Sequence, residues 1–435
     1  MKSKLINMAY VLAAVLFLPV MLYQRFVRRK RRTGWRQRLG HIPARPSRAP
    51  CVWIHGVSVG EINAALPLVH ELSRQLKGFE VAISATTDTG FARATQLFPS
   101  QMVFRYPLDF SWVVARTMER LRPRIIVLME LEVWPNLVAH AARAGIPVVV
   151  ANGRITDRRR VGLLNLPLVR RLTRSMFAAL AGVGVQDETY AERFRRIGVP
   201  ADRIRITGSL KWDSAVVADR VERDDALARC LMIDRSRPLW VAGSTGPGEE
   251  AALLQAYKQL LEDHPQWQLA IVPRHPERFG AVAHLIEDYG FACIRRSKHL
   301  ERPPTALKAR TVFLGDTMGE LRRFYALADL VFVGRSLAPL GGSDVMEVAG
   351  LGKPMLFGPH MTNFAEAATK LLSARAGVQI ADAESLLREA QHLMTHRVEA
   401  TRMGRQARQV LLLNQGASRK TAEMIQQLLN TKGMK

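Results

Sequence analysis

Hydrophobic and polar positions form two series of short apolar runs separated by amphipathic stretches. The first series, which predicts β-strands, covers residues 51–55, 81–85, 124–128, 147–151, 181–185 and 204–207. The second covers residues 239–242, 269–272, 311–314, 330–333, 353–357 and 378–380. Strands that alternate with helices indicate βαβ units and parallel sheets. We therefore predict an α/β protein with two doubly wound domains that face one cleft.

A charged stretch with weak periodicity, residues 213–234, separates the two series. The chain has 435 residues, which is enough for two ordinary domains with a core each. The predicted domains cover residues 51–225 and 226–415. A last helical segment, 416–435, is expected to pack back on the first domain.

The first strand-like run is preceded by an uncharged apolar segment, residues 5–23. About 20 residues suffice to span the hydrocarbon core of a bilayer. Basic residues follow at once in QRFVRRKRRTGWRQR, and such residues stay cytoplasmic and attract anionic lipids. Without a small-x-small cleavage site before them, a cleaved signal peptide fits poorly. We expect residues 1–24 to anchor the chain in a bacterial inner membrane, spanning it or lying on it. Residues 25–50 would then be a basic juxtamembrane linker, and both domains would be cytoplasmic.

Composition limits which classes of partner this chain is expected to bind. The formal net charge of +25 favours anionic partners, and 48% hydrophobic residues exclude a disordered chain. The three cysteines have no C-x-x-C spacing, which excludes a zinc site or a disulfide framework of that kind and suggests a reducing compartment. His275, His360 and Asp344 lack metal-ligand spacing, so no metal is expected. Since basic residues are not interleaved with aromatic ones, an anchored nucleic-acid-binding module is disfavoured and no nucleic-acid partner is expected.

The segment GVSVG, residues 56–60, matches the G-x-S-x-G nucleophile elbow of α/β-hydrolases. That elbow follows a central strand with several strands before it, whereas here only an anchor and a linker come first. A hydrolase acting through Ser58 is therefore disfavoured. The alternative is a glycine-rich turn at Gly60 that lets backbone and a helix N-terminus approach an anion. Ser58-x-x-Glu61 is also a capping box, so Glu61 is either a cap partner or a general base at the strand ends.

A second acidic cluster, MELEVWPN, follows the strand-like run 124–128. Glu130 ends this run, and Pro135 suits the first turn of the next helix. Carboxyl ends of parallel strands line the ligand crevice, so Glu130, and less directly Glu132, is predicted to face the same cleft as Glu61. The alternative is compensation of the dipole at the start of the helix.

Glycine- and proline-rich loops dominate the strand ends of the second half. They cover residues 242–254, 272–279, 315–321 and 334–364. Backbone N–H groups and arginines at such ends can together bind the phosphate and ribose of a nucleotide. Each loop alone is also an ordinary turn, and none of them is a P-loop or a G-x-G-x-x-G opening a first strand.

Seven motifs, in order, resemble those of the Kdo transferases of lipopolysaccharide synthesis. They are HGVSVGE, MELEVWPN, ITGSLKWD, VPRHPERF, GDTMGEL, the GG-x-x-x-x-E of residues 341–347, and GPHMTNF. These enzymes move 3-deoxy-manno-octulosonic acid (Kdo) from CMP-Kdo to a lipid A precursor. The resemblance implies a GT-B fold, with the acceptor site in the first Rossmann-like domain and the CMP-Kdo site in the second. The chemistry of these residues leads us to expect a direct displacement with inversion, without a covalent enzyme intermediate, a cofactor or an obligatory metal.

The same resemblance assigns roles to individual residues. It implies that Glu61 is the catalytic base, and that Glu130 and Lys211 stabilise the transition state. The donor-binding residues that it implies are Pro273, Arg274, Met318, Gly319, Glu320, Asp344, Val345, Met346 and Glu347. Further ligand loops are expected at Ser58, Gly60, Ser244, Gly341 and Gly342.

One motif departs from the family pattern. The family usually has G-G-H-N-P-x-E, whereas this chain has Ser343 and Asp344 in the third and fourth positions. An Asp in place of an Asn removes an amide donor and adds a charge near the nucleotide, although Glu347 is kept. The remaining alternative is a membrane-associated GT-B glycosyltransferase that uses a different nucleotide sugar.

Overall fold

The computed structural model describes residues 2–26, 33–155 and 167–433. Two compact units are present. Unit 1 comprises residues Met1–Ser214 and Asn414–Lys435, and unit 2 comprises Ala215–Leu413. The chain therefore leaves unit 1, completes unit 2 and returns to unit 1.

Unit 1 contains a parallel seven-stranded sheet. Its strands are β1 (Cys51–Gly56), β2 (Glu80–Ala85), β3 (Met102–Arg105), β4 (Pro123–Met129), β5 (Val148–Gly153), β6 (Gly182–Val185) and β7 (Ile204–Ile206). They lie in the order β3-β2-β1-β4-β5-β6-β7. The connections reverse direction between β1 and β4, and such a switch point is where ligands bind in open α/β sheets.

Helices connect and flank these strands. They are α1 (Lys2–Phe26), α2 (Trp35–Arg38), α3 (Val59–Gln75), α4 (Asp88–Leu97), α5 (Ser111–Leu121), α6 (Pro135–Arg143), α7 (Pro167–Ala178), α8 (Glu188–Arg196) and α9 (Leu210–Asp213), with a 3₁₀ turn at Ala201–Arg203. In α1 the window Ser3–Val20 is long and apolar enough to cross a membrane. Every residue of β1 is buried, as expected for a central parallel strand covered on both faces.

Unit 2 repeats the arrangement with a second parallel seven-stranded sheet. Its strands are β8 (Leu239–Thr245), β9 (Gln268–Pro273), β10 (Ala292–Arg295), β11 (Thr311–Leu314), β12 (Leu330–Val333), β13 (Met355–Phe357) and β14 (Val378–Gln379). They lie in the order β10-β11-β9-β8-β12-β13-β14, so the switch point lies between β8 and β12. The prediction of an α/β protein with two doubly wound parallel sheets is confirmed.

The helices of unit 2 cover both faces of its sheet. They are α10 (Asp224–Leu231), α11 (Glu249–Asp263), α12 (Phe279–Asp288), α13 (Leu321–Leu327), α14 (Val345–Gly350), α15 (Ala365–Ser373), α16 (Ala383–Thr395) and α17 (Arg397–Asn414). Short 3₁₀ turns lie at Pro276–Arg278, Arg296–Lys298 and Thr362–Phe364.

The last helix, α18 (Ala417–Gly433), belongs to unit 1 and packs against α3. Its buried residues Met424 and Ile425 join a core cluster that includes Ile62 and Leu68 of α3. The hydrophobic core of unit 1 is thus built from both ends of the sequence.

Two strands, β3 and β10, were absent from the predicted series, and this is a correction to the strand assignment. Both are edge strands at the same end of their sheets. β3 is only half buried at its first two residues, and β10 is half buried throughout. An edge strand has a paired neighbour on one side only, and partial exposure weakens its apolar pattern. The other two edge strands, β7 and β14, were nevertheless in the predicted series.

Candidate active site

The two carboxylates predicted for the first domain follow the two strands that flank its switch point. Glu61 lies in the first turn of α3, directly after β1, and Glu130 is the first residue after β4. β1 and β4 are parallel neighbours, with His55 paired to Leu128. The sheet therefore brings both carboxylates to one carboxyl edge.

The turn after β1 holds the Glu61 carboxylate through hydrogen bonds to both oxygens. The backbone N–H of Val57 donates to Oε2 at 2.9 Å, and the hydroxyl of Ser58 donates to Oε1 at 3.0 Å. Ser58 is also the N-cap of α3, since its Oγ accepts from the backbone N–H of Glu61 at 3.4 Å. Ser58 therefore caps the helix and holds the Glu61 carboxylate at the same time. Gly60, in the same turn, is exposed.

The pKa of Glu61 is raised to about 7. Burial is the largest cause, because it penalises the charged form, and the negative charges of Glu130 and Glu132 add to it. The hydrogen bonds from Val57 and Ser58 oppose the shift. A carboxylate with a pKa near neutrality is suited to accept a proton at physiological pH.

Glu130 has a strained backbone. Its φ of 57° lies in the left-handed region, and its N–H donates to the carbonyl of Ala151 at 2.9 Å. A non-glycine residue in this region costs on the order of 1–3 kcal/mol and is concentrated at functional sites. Nearby, Trp134 Nε1 donates to Glu132 at 3.2 Å, and Pro135 begins α6 as predicted.

Lys211 lies half-buried in the short helix α9, which packs against α3. Asn152, at the end of β5, positions this helix by accepting a hydrogen bond from the N–H of Leu210 at 3.0 Å. Asn152 is fully buried, has a φ of 57° and also accepts from Gln186. Asn152 was not among the predicted site residues, and its only signal in the sequence is the polar pair Asn-Gly at the end of an apolar run.

In unit 2 a buried carboxylate organises the ends of β8 and β12, the strands that flank the switch point. Glu249 is 1% exposed and accepts hydrogen bonds from the N–H groups of Gly246, Arg335, Ser336 and Leu337 at 2.6–2.9 Å. It was also missed, although an acidic residue opening a helix after a glycine-rich turn was a usable signal.

A residue with left-handed backbone conformation lies at the end of β8 and another lies just after β12. Ser244 has a φ of 55° and Arg335 a φ of 59°. The guanidinium of Arg335 donates to the carbonyl of Leu340 at 3.0 Å and lies 3.2 Å from His275 Nε2.

The predicted donor residues at β9 and before α13 differ in how accessible they are. Pro273 is buried at the end of β9, whereas Arg274 is exposed, with its N–H bonded to the carbonyl of Thr245 at 3.1 Å. Met318 is 66% exposed, and Gly319 is exposed with a φ of 85°.

Glu320 forms ion pairs with two arginines within unit 2. Arg296 donates to its two oxygens at 2.9 and 3.0 Å, and Arg323 and Thr317 donate as well. Burial opposes ionisation of Glu320, but these hydrogen bonds hold its pKa below the usual value. Its side chain is therefore occupied within the protein, and its predicted contact with CMP stays a prediction.

The segment from Asp344 to Glu347 forms the first turn of α14. The Asp344 carboxylate accepts from the N–H of Met346 at 2.8 Å, and Val345 and Met346 are buried. Burial raises the pKa of Glu347 to about 7, and the charge of Asp344 adds to this, whereas Arg322 and Arg274 oppose it. Arg274, Asp344 and Glu347 are thus close enough to interact electrostatically.

Two glycines allow the loop before α14 to fold tightly. Gly341 and Gly342 have φ values of 89° and 78°. A Cβ on Gly341 would lie 2.3 Å from Nδ2 of Asn363, and one on Gly342 would lie 2.5 Å from Sδ of Met361. Neither position accepts a side chain. Within residues 2–26, 33–155 and 167–433, no group of three or more His, Cys, Asp or Glu side chains is arranged to hold a metal ion.

Comparisons with known proteins agree with these motifs. The family model of 3-deoxy-D-manno-octulosonic-acid transferase (kdotransferase) matches residues 33–214. A curated protein of Haemophilus influenzae named 3-deoxy-D-manno-octulosonic acid transferase is 32% identical over 405 residues, 91% of this chain and 92% of its own. One of the same name from Bordetella pertussis is 34% identical over 422 residues, 92% of this chain and 95% of its own.

Among solved structures, a UDP-GlcNAc 2-epimerase from Neisseria meningitidis has a similar fold. Its TM-score is 0.53 at 13% identity, and the match covers 87% of this chain and 100% of that one. At this identity the likeness bears on the fold alone. Together with the two parallel sheets, it confirms the expected GT-B fold.

Proposed function

Because the chain belongs to the family of 3-deoxy-D-manno-octulosonic acid (Kdo) transferases, we propose that it transfers Kdo from CMP-Kdo to a lipid A precursor, lipid IVA. The transfer inverts the anomeric centre and uses Glu61 as general base. The observation that carries this proposal is the hydrogen-bonded Glu61 carboxylate, with a pKa of about 7, at the switch point of unit 1.

The reaction is a direct displacement. Glu61 takes the proton of an acceptor sugar hydroxyl, and the oxygen attacks the anomeric carbon of Kdo. The bond from that carbon to the phosphate oxygen breaks, and CMP leaves with the electron pair. General base catalysis of this kind contributes typically ~10²–10⁴ in rate.

Charge develops at two places during this step. The Kdo ring becomes oxocarbenium-like, and the Glu130 carboxylate is suited to stabilise it, as carboxylates do in glycosidases. Negative charge grows on the leaving phosphate, and the guanidinium of Arg274 is suited to meet it. Lys211 keeps its expected role of stabilising the transition state. No step of this displacement uses a metal or a cofactor.

The donor is held by unit 2 in this proposal. Glu347 accepts hydrogen bonds from the ribose hydroxyls, and the exposed Arg274 binds the phosphate. The remaining donor contacts are made by the loops that carry Pro273, Met318, Gly319, Val345 and Met346, with Ser244, Gly341 and Gly342 shaping their backbone.

The chain acts at the cytoplasmic face of a bacterial inner membrane, anchored through α1. Its apolar window Ser3–Val20 and the basic residues that follow support this location. Membrane lipids and the phosphates of lipid IVA are anionic, which agrees with a net charge of +25.

The test is transfer by the purified enzyme. CMP-Kdo and tetra-acylated lipid A precursor are supplied in detergent, and the product is identified by mass. We expect Kdo-bearing product from the wild type and its near-complete loss in Glu61→Gln. No product from folded wild type with intact CMP-Kdo would refute the proposal and favour another nucleotide sugar as donor.

A further inference from the structure

Helix α1 is attached to unit 1 through a network of amide hydrogen bonds. The side-chain amide of Asn7 donates to Oγ of Ser111 at 2.7 Å. Its Oδ1 accepts from the backbone N–H of Ser111 at 3.1 Å and from Nδ2 of Asn136 at 3.0 Å. Asn136 is buried in the first turn of α6, so this contact joins the apolar helix to the folded unit.

A second attachment lies one turn further along α1. The hydroxyl of Tyr10 donates to Oδ2 of Asp109 at 2.9 Å, and its ring meets Phe110 edge-on with centroids 5.8 Å apart. Asp109 is only 8% exposed and also accepts from the backbone N–H groups of Asn136 and Leu137. Leaving such a carboxylate without one of its partners is costly, which favours the attached state.

The attachment follows one stripe of the helix. Ser3, Ile6, Asn7 and Tyr10 are half-buried, with the spacing of a single helix face. Residues 11–20 are exposed on every side. From residue 11 to residue 26 the helix extends about 22 Å, at about 1.5 Å per residue.

The chain returns to unit 1 soon after α1 ends. The hydroxyl of Thr33 donates to Asp88 at 3.2 Å and accepts from Nη2 of Arg105 at 2.6 Å. The seven steps along the chain from residue 26 to residue 33 reach at most about 25 Å, less than the roughly 30 Å hydrocarbon thickness of a bilayer. A helix attached at Asn7 and Tyr10 is thus tied to one unit on both sides of residues 11–26, and it cannot cross a bilayer.

Two exposed tryptophans are neighbours in sequence of the attachment residues. Trp112 is 51% exposed and follows Ser111, and Trp134 is 37% exposed and lies two residues before Asn136. Exposed tryptophans are typical of the boundary between lipid and water. Both are close in sequence to the residues that Asn7 contacts, Ser111 and Asn136.

We infer that α1 is an in-plane membrane element. Its Ser3–Tyr10 stripe stays docked on unit 1, while its apolar remainder lies in the surface of an anionic bilayer without crossing it. The inference rests on the proposed membrane location. The sequence left open whether α1 spans the membrane or lies on it, and the inference selects the second topology. It also places the membrane surface next to the loop that carries Glu130 and Trp134.

Disulfide trapping in membranes tests the docked state. Asn7→Cys is combined with Ser111→Cys in a chain carrying Cys230→Ser and Cys293→Ser, and Cys51 stays because it is buried. Membrane vesicles are treated with a mild oxidant, and the bond is detected as a gel shift that a reductant reverses. The matched control combines Met8→Cys with Ser111→Cys, because Met8 is 65% exposed on another face.

We expect at least tenfold more disulfide in the Asn7 pair than in the Met8 pair. Equal yields, or no bond in the Asn7 pair, would overturn the inference, since a spanning helix puts residues 7 and 111 on opposite sides. Recovery of the protein in the soluble fraction would instead refute the proposed membrane location and, with it, this inference. Neither readout depends on transferase activity.

Labelling of Ser3→Cys, in the same cysteine background, gives an independent answer. A membrane-impermeant maleimide is applied to intact spheroplasts and to inverted vesicles. Labelling in inverted vesicles alone is expected, whereas labelling in intact spheroplasts would show a span and overturn the inference. Ser236→Cys, at an exposed turn of unit 2, serves as the cytoplasmic reference.

Discussion

The hydroxyl of Ser58 donates a hydrogen bond to Oε1 of Glu61 at 3.0 Å, while its oxygen accepts from the backbone N–H of the same residue. One serine thus caps the helix and holds the acid that follows it. The G-x-S-x-G spacing that suggests a nucleophile therefore has a structural use at this position. In the proposed mechanism Ser58 is a positioning residue.

We expect the pH profile of kcat/KM to rise through about pH 7. The pKa of Glu61 is raised to about 7, so the carboxylate is protonated below that pH and able to accept a proton above it. Initial rates with lipid IVA between pH 5 and pH 9 measure the rising part of this profile. A profile that is flat across pH 7 would argue against Glu61 as the base.

The same shift predicts how stability depends on pH. A raised carboxyl pKa favours the folded state below the unfolded value of about 4.5, and this contribution is lost as pH rises through about 7. Glu61→Gln removes that dependence. Its gain in melting temperature over the wild type should widen between pH 5 and pH 8 in calorimetry. A gain that stays constant with pH would contradict the raised pKa.

Ser58→Ala should keep most of the transferase activity but shift the rising limb to higher pH. The reason is that the Ser58 hydrogen bond lowers the pKa of Glu61. Loss of the cap costs about 1 kcal/mol of stability. Asp187→Ala is the control, since Asp187 caps α8 by accepting from Tyr190 N at 2.9 Å. Asp187→Ala should lose a similar amount of stability and leave the rising limb of the pH profile unchanged. Because Ser58 is not a nucleophile in this mechanism, a serine-directed phosphonate should not inhibit the wild type.

Glu130→Ala and Glu130→Gly should be equally impaired in transfer, because both lack the carboxylate. They should differ in stability, since glycine adopts the left-handed region without the steric cost that alanine has there. We expect Glu130→Gly to be about 1 kcal/mol more stable in denaturant unfolding. Equal stability of the two variants would mean that the backbone at this position is not strained.

Asp344→Asn should lower the KM for CMP-Kdo several-fold with little change in kcat. Asparagine can still cap α14 by accepting from the N–H of Met346, but the negative charge that raises the pKa of Glu347 is gone. An ionised Glu347 carboxylate accepts hydrogen bonds from the ribose hydroxyls better than a protonated one does. Steady-state kinetics at pH 7 measure both constants, and an unchanged or higher KM would contradict the proposed contact.

Glu249→Gln should destabilise unit 2 by about 1–3 kcal/mol, because an amide nitrogen would face backbone N–H donors that a carboxylate now satisfies. Glu262→Gln, an exposed position on the same helix, is the control and should be neutral within about 0.5 kcal/mol. Urea unfolding compares the two. Similar stabilities would show that the carboxylate charge at Glu249 is dispensable.

Much of the fold was predictable because parallel strands are buried on both faces and read as apolar runs. β11 and β12 are found with the predicted bounds, whereas the partly exposed edge strands β3 and β10 were missed. The candidate site was less predictable. Glu61 and Glu130 follow strands and could be found, but their proximity depends on the order in which strands join the sheet.

Asn152 and Glu249 show what sequence analysis cannot supply. Both are buried polar residues whose partners are backbone N–H groups far along the chain: Leu210 for Asn152, and Arg335 and Ser336 for Glu249. A hydrogen bond across 58 or 87 residues leaves no local pattern. Only the folded chain shows that these residues set the geometry of the loops at the two sites.

The return of α18 to unit 1 determines the order in which the two units can be completed during synthesis. Met424 and Ile425 fill a core whose other walls, Ile62 and Leu68, leave the ribosome more than 350 residues earlier. Unit 2 is complete once residue 413 has emerged, while unit 1 still lacks one side of its core. The second unit can therefore be the first to mature, and the nascent first unit shows an apolar face to chaperones until α18 has emerged.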